Sequence, residues 1–91
     1  MISIDLLVTQ VSGLERDELE HWIAHQWVRP DGPPEAYSFH DIDVARVRLI
    51  RELRHELEVN EAAVPIILSL LDQLYELRRR VREVGALTAK R

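Results

Sequence analysis

The stretch from Val44 to Val84, VARVRLIRELRHELEVNEAAVPIILSLLDQLYELRRRVREV, constrains the fold more than any other part of the chain. It reads as two amphipathic helices in succession. In the first, Ile42, Ala45, Leu49, Leu53 and Leu57 recur at steps of three and four and share one stripe. Val47 and Ile50 widen that stripe, while Arg48, Arg51, Glu52 and Glu56 face away. In the second, Ile67, Leu70, Leu74, Leu77, Val81 and Val84 alternate in steps of three and four, a heptad seam with Leu71 and Tyr75 beside it. A helix from Glu61 to Val84 would run to roughly 36 Å, too long a seam for one small domain to bury. A partner helix is expected, most simply from a second copy of the chain, giving a homodimer.

The junction between the two helices is also legible. Asn60 is a good N-cap, and Val59 and Val64 have the spacing of a hydrophobic staple. Pro65 removes a backbone donor near the first turn, which predicts a bend or a later start. Gly85 follows the last seam residue and suits a C-terminal stop, leaving residues 86–91 as a frayed tail. The expected organisation is a body over residues 1–60, a dimerisation helix over 61–85 continuous with it, and that tail, one structural domain overall.

With 91 residues the chain supports one modest core. A net charge of −4 argues against general nucleic-acid binding, which runs on excess Lys and Arg. Up to Val44 the only basic residues are Arg16 and Arg29, against Asp5, Glu15, Asp17, Glu18, Glu20, Asp31, Glu35, Asp41 and Asp43. The first half therefore carries roughly −7 when all of these are ionised. Cysteine is absent, which excludes disulfides and thiol chemistry. Asp5 interrupts the apolar start, no basic region precedes it, and no segment has the apolar length of a membrane span. A soluble, cytoplasmic protein is the expectation.

In chain order, MISIDLLVTQV over residues 1–11 fits either a brief extended piece or a short helix ending at Gly13. ERDELEHWIAHQ over 15–26 is a helix, with Leu19, Ile23 and Trp27 at steps of four and Trp22 at the margin. Glu15, Asp17 and Glu18 sit in its first turn, where they complement the helix dipole. WVRPDGPPEAYSF over 27–39 is a proline-rich loop; Val28, Tyr37 and Phe39 have the spacing of a two-stranded ribbon around it. His40 or Asp41 opens the next helix. This is the order of a winged helix-turn-helix followed by a dimerising helix.

That layout resembles the MerR-like winged-helix superfamily over nearly the whole chain. The marks are Gly13 between the first helices, WVRP leading into the wing, the Tyr37-Ser38-Phe39 exit and the Arg- and Leu-rich VARVRLIRELRHELEV. Within the superfamily, LRHELEVNEAAVPIILSLLDQL over 53–74 and GLERDELEHWIAHQWVRP over 13–30 look like the chaperone-modulator family CbpM. The resemblance implies a mainly α fold: a helix pair, a small β-ribbon wing, a third helix and a long C-terminal dimerisation helix. It also implies a regulator that binds the J-domain of a DnaJ-like co-chaperone (CbpA) and prevents it from stimulating the Hsp70 partner, DnaK.

A DNA-reading relative needs Lys and Arg on its second helix and wing. Here Arg16 stands among Glu15, Asp17, Glu18 and Glu20, and Asp31 and Glu35 occupy the wing with Arg29 at its base. The sign is inverted, so DNA is disfavoured and a basic protein surface is the better partner. Glu15, Asp17, Glu18 and Glu20 are the candidate charged contacts and Trp22 the candidate anchor; core packing is the competing role for both Trp22 and Trp27. Arg46, Arg48, Arg51 and Arg54, interleaved with Glu52, Glu56 and Glu58, read as a solvated face with pairs such as Arg48 with Glu52. Arg78, Arg79, Arg80 and Arg82 read the same way or as a site for an acidic surface.

His21 and His25 have the spacing of a two-histidine clip that Glu18 could extend, but a structural zinc site needs four ligands. No metal site and no cofactor are expected. With no nucleophile elbow or phosphate loop, the chain is not expected to be an enzyme. A MerR-type dimeric DNA-binding transcriptional regulator is the second reading, and a dimerisation module for another partner the third.

Overall fold

The computed structural model describes residues 1–89 and divides into two units, residues 1–60 and residues 61 onward. The first unit begins with Ile2 in an extended conformation and a helix α1 over Ile4–Gln10. Ser3 caps α1 by accepting the Leu6 N–H at 3.2 Å. Gly13, at φ +80°, then turns the chain through a conformation that side chains with a Cβ avoid. Helix α2 follows over Arg16–Ala24 and packs on α1, with Arg16 of α2 ion-paired to Asp5 of α1.

From Trp27 to His40 the structure departs from the expected ribbon. Among the described residues no strand forms. Asp31 and Ser38 make one antiparallel pair (2.9 and 2.8 Å) around Gly32 at φ +84° and a single 3₁₀ turn over Pro34–Ala36. Pro30, Pro33 and Pro34 supply no backbone donors, so no ladder can extend from that pair. Phe39 pairs instead with Ile2, through Ile2 N–H to Phe39 O at 2.9 Å and Phe39 N–H to Ile2 O at 2.8 Å.

Helix α3 spans Asp41–Arg51. Its start is fixed by buried Asp43, whose carboxylate accepts the His40 backbone N–H at 2.9 Å. The buried stripe is Asp43, Val47, Ile50 and Leu53, whereas Ile42 and Leu57 are 68% and 63% exposed. The expected stripe through Ile42, Ala45, Leu49 and Leu57 is thus rotated toward Val47 and Ile50. Beyond Arg51, residues Glu52–Glu56 form a π-helical turn, closed by Leu57 N–H to Glu52 O at 3.0 Å, and the added residue carries Leu57 out of phase with the stripe. The core of this unit is Ile4, Leu7, Val11, Leu14, Leu19, Trp22, Trp27, Val28, Phe39, Val47, Ile50 and Leu53.

The second unit is helix α4, Val64–Ala89. It starts later than Asn60, and Pro65 is its second residue, where a missing N–H costs nothing because first-turn donors lack intrahelical partners. Val64 and Leu68 are buried. The helix does not stop at Gly85. A C′ glycine ends a helix by turning to positive φ, which Gly85 does not do, and the chain continues helical to Ala89. The expected frayed tail is therefore helical from Ala86 to Ala89, and Lys90 and Arg91 lie outside the described residues.

The glycines give opposite predictions. A Cβ on Gly13 would meet the Arg51 guanidinium at 2.7 Å in addition to the positive φ, so Gly13→Ala is expected to cost about 1–2 kcal/mol in denaturant unfolding. Gly85 has nothing within 4 Å of such a Cβ, and Gly85→Ala is expected to add up to about 1 kcal/mol.

Candidate protein-interaction surface

The acidic residues of α2 divide into two groups. Glu15 and Asp17, at its N-terminal end, are exposed and have no partner among the described residues. Their charges meet the positive end of the helix dipole. Glu18 and Glu20 are engaged within the chain. Both oxygens of Glu18 accept from His55 Nε2, at 2.7 and 2.9 Å, tying α2 to the π-helical turn. Glu20 accepts from Arg16 Nε at 3.2 Å, and that hydrogen bond, together with the charge of Asp5, raises the Arg16 pKa above its ordinary value. The α2 surface thus stays acidic, but its freest charges are Glu15 and Asp17.

Trp22 is not part of this surface. It is 2% exposed and belongs to the core, as does Trp27 at 6%. A tryptophan at the margin of a helical wheel turns inward when the adjoining segment covers it, and here Trp27 N–H bonds the Trp22 carbonyl at 3.0 Å as the chain folds back beyond α2. Past α2, Asp31 is paired with His40, while Glu35 and Asp41 are exposed.

The arginines of α3 and the π-helical turn are largely occupied. Arg46 Nε donates to the Trp27 carbonyl, Arg54 Nη1 to the Val59 carbonyl at 2.6 Å, and Arg51 Nη1 to Glu56 at 3.2 Å. They act as clamps on loops, which fits a solvated face better than a phosphate-reading stripe. Between Arg48, Arg51, Ser12 and Val11 a cleft of about 320 Å³ also receives Glu52 and Glu56, so its charges are mixed.

Along α4 the seam residues Leu70, Leu74, Leu77, Val81 and Val84 are 60%, 42%, 59%, 62% and 62% exposed, and Ile67 is partly covered. Arg79 binds Glu76 at 2.6 Å and Glu83 at 3.3 Å, and Arg80 reaches Glu76 at 3.3 Å. The Arg79 hydrogen bond, first of all, holds the Glu76 carboxyl below the usual carboxylate range. Glu76, Arg79, Arg80 and Glu83 thus satisfy one another, and the apolar row is left open. No helix among the described residues is long and apolar enough to cross a membrane.

Glu18 does not join His21 and His25, because it is held by His55. Neither this contact nor the Arg16 bridge to Asp5 could be read from the sequence, since the partners lie 37 and 11 positions apart with no local signal. Truncating a buried indole removes most of a core contact set, so Trp22→Ala is expected to cost about 3–5 kcal/mol in denaturant unfolding. Any binding lost in that variant would then report unfolding.

Comparison with curated proteins and with solved structures gave no match. A family model does match, over residues 2–85, and the chain belongs to the MerR HTH family of regulatory proteins.

Proposed function

We propose that this protein binds the J-domain of a DnaJ-like (CbpA-type) co-chaperone in the cytoplasm and blocks its stimulation of Hsp70 (DnaK). The observation that carries the reading is the sign of the surface: a helix-turn-helix scaffold of this family with exposed Glu15 and Asp17 on its second helix and Glu35 and Asp41 beyond it. Such a face repels a phosphate backbone and attracts a Lys- and Arg-rich protein helix. Inhibition would follow from occupation: a J-domain whose cationic docking helix is covered by carboxylates cannot present it to Hsp70. The resemblance of residues 53–74 and 13–30 to the CbpM family names the partner. The family's own description, a helix-turn-helix regulator, favours a second reading as a dimeric DNA-binding protein.

In either reading the protein acts as a homodimer through α4. The exposed row Leu70, Leu74, Leu77, Val81 and Val84 supports this, since a solvent-facing leucine seam of this length is unstable without a covering partner.

Reversal of Glu15 and Asp17 to Lys changes surface charge without breaking an internal contact, whereas reversal of Glu18 or Glu20 also removes the His55 or Arg16 bond. Glu15→Lys/Asp17→Lys is expected to slow association with the J-domain by about tenfold at low salt, with little change in dissociation, as read by surface plasmon resonance. An unchanged association rate refutes the acidic-face reading. Salt-sensitive binding of the wild-type chain to duplex DNA at physiological ionic strength establishes the second one. Leu74→Asp/Leu77→Asp is expected to convert the dimer to monomer or unfolded chain in sedimentation; an intact dimer means that another surface pairs.

A further inference from the structure

The C-terminal end of α2 carries a feature that the proposed partner surface does not use. His21 and His25 stand one helical turn apart with ring centroids 4.2 Å from each other, and both are exposed. His25 Nδ1 lies 3.0 Å from the His21 carbonyl oxygen. A carbonyl oxygen only accepts, so Nδ1 carries the proton and neutral His25 keeps its Nε2 lone pair for another ligand. This is the arrangement by which metal-binding histidines are oriented, with one ring nitrogen held by a backbone carbonyl and the other presented to the ion.

One ring nitrogen of His21 and one of His25 approach within 4.8 Å. Two imidazole nitrogens on one zinc ion, each at 2.0–2.1 Å and tetrahedrally disposed, stand roughly 3.4 Å apart. The χ2 torsion of histidine is broad, so a small rotation of the exposed His21 ring closes that difference while His25 keeps its carbonyl hydrogen bond. Each imidazole has two ring nitrogens, and a hydrogen bond at one leaves the other for the ion. Trp27 stands beside both rings, with centroids 6.2 Å from His21 and 5.6 Å from His25. Its buried indole holds one wall of the site in place. A cation here also sits at the end of α2 where the helix dipole is negative.

We propose that His21 and His25 form a two-imidazole clip for a divalent transition-metal ion of zinc type, with water in the remaining coordination positions. Two ligands are too few for a closed structural site, so the ion is exchangeable and the chain folds without it. The ion binds the folded helix better than the unfolded chain, because only the helix holds the two rings one turn apart; it therefore stabilises the fold by mass action.

The test is calorimetric titration of the full chain with zinc chloride at neutral pH, beside His21→Gln, His25→Gln and the double variant. Both side chains are exposed, so these variants are expected to keep the wild-type circular dichroism spectrum. The expected result is one ion per chain, an affinity about tenfold or more lower in each single variant, and none of the zinc-induced rise in unfolding temperature that the wild type shows. His40→Gln/His55→Gln, which leaves the pair intact, retains wild-type binding. Absence of stoichiometric zinc binding by the wild type, or the same affinity in the double variant, overturns the proposal.

Discussion

The first unit depends on the pairing of Ile2 with Phe39. Two hydrogen bonds of 2.9 and 2.8 Å join the chain's start to the residue just before the cap of α3, and Phe39 itself is fully buried. This contact spans most of the unit in sequence, so it closes a long loop, and side-chain burial must offset the entropy of that closure. Once it is made, the residues between Ile2 and Phe39, which carry α1 and α2, form a closed loop that leads into α3. The buried carboxylate of Asp43 reinforces the same point by fixing the backbone of His40.

Around that frame the charged residues are used in two ways. Some hold the structure: Arg46 and Arg54 donate to carbonyls of loop residues, Arg16 bridges Asp5 and Glu20, and His55 holds Glu18. These are exposed or partly exposed pairs, each modest in energy, and they act chiefly by choosing one loop geometry. The others, Glu15 and Asp17 above all, face the positive end of the α2 dipole and are held by no side-chain bond among the described residues, and they define the field that an approaching molecule meets.

Helix α4 shows the same division by face. Glu76, Arg79, Arg80 and Glu83 neutralise one another along one side. The leucine and valine row has no such closure and remains in contact with solvent. Helical propensity and i,i+4 ion pairs give local support to a helix of 26 residues, and covering that row would stabilise it by more than those pairs do.

Helices α2, α3 and α4, and the open seam of α4, were legible in the residues themselves, because amphipathic periodicity and caps are local properties, whereas residues 1–11 fitted a helix or an extended piece equally. The acidic first turn of α2 and the start of α3 at His40 were legible for the same reason. Tertiary structure decided the rest. Whether Trp22 faces in or out depends on how the chain folds back beyond α2, which stripe of α3 is buried depends on what packs against it, and the exposure of Leu57 follows a π-helical turn that no local propensity announces. The wing was reduced to the single Asp31–Ser38 pair by the prolines around it, and Phe39 pairs with Ile2 instead, a contact distant in sequence. Which carboxylates remain free was settled by His55 and Arg16, whose reach to Glu18 and Asp5 exists only in the folded chain. Local pattern specifies an element and its apolar side; contacts between residues distant in sequence specify which charges and rings are left for others.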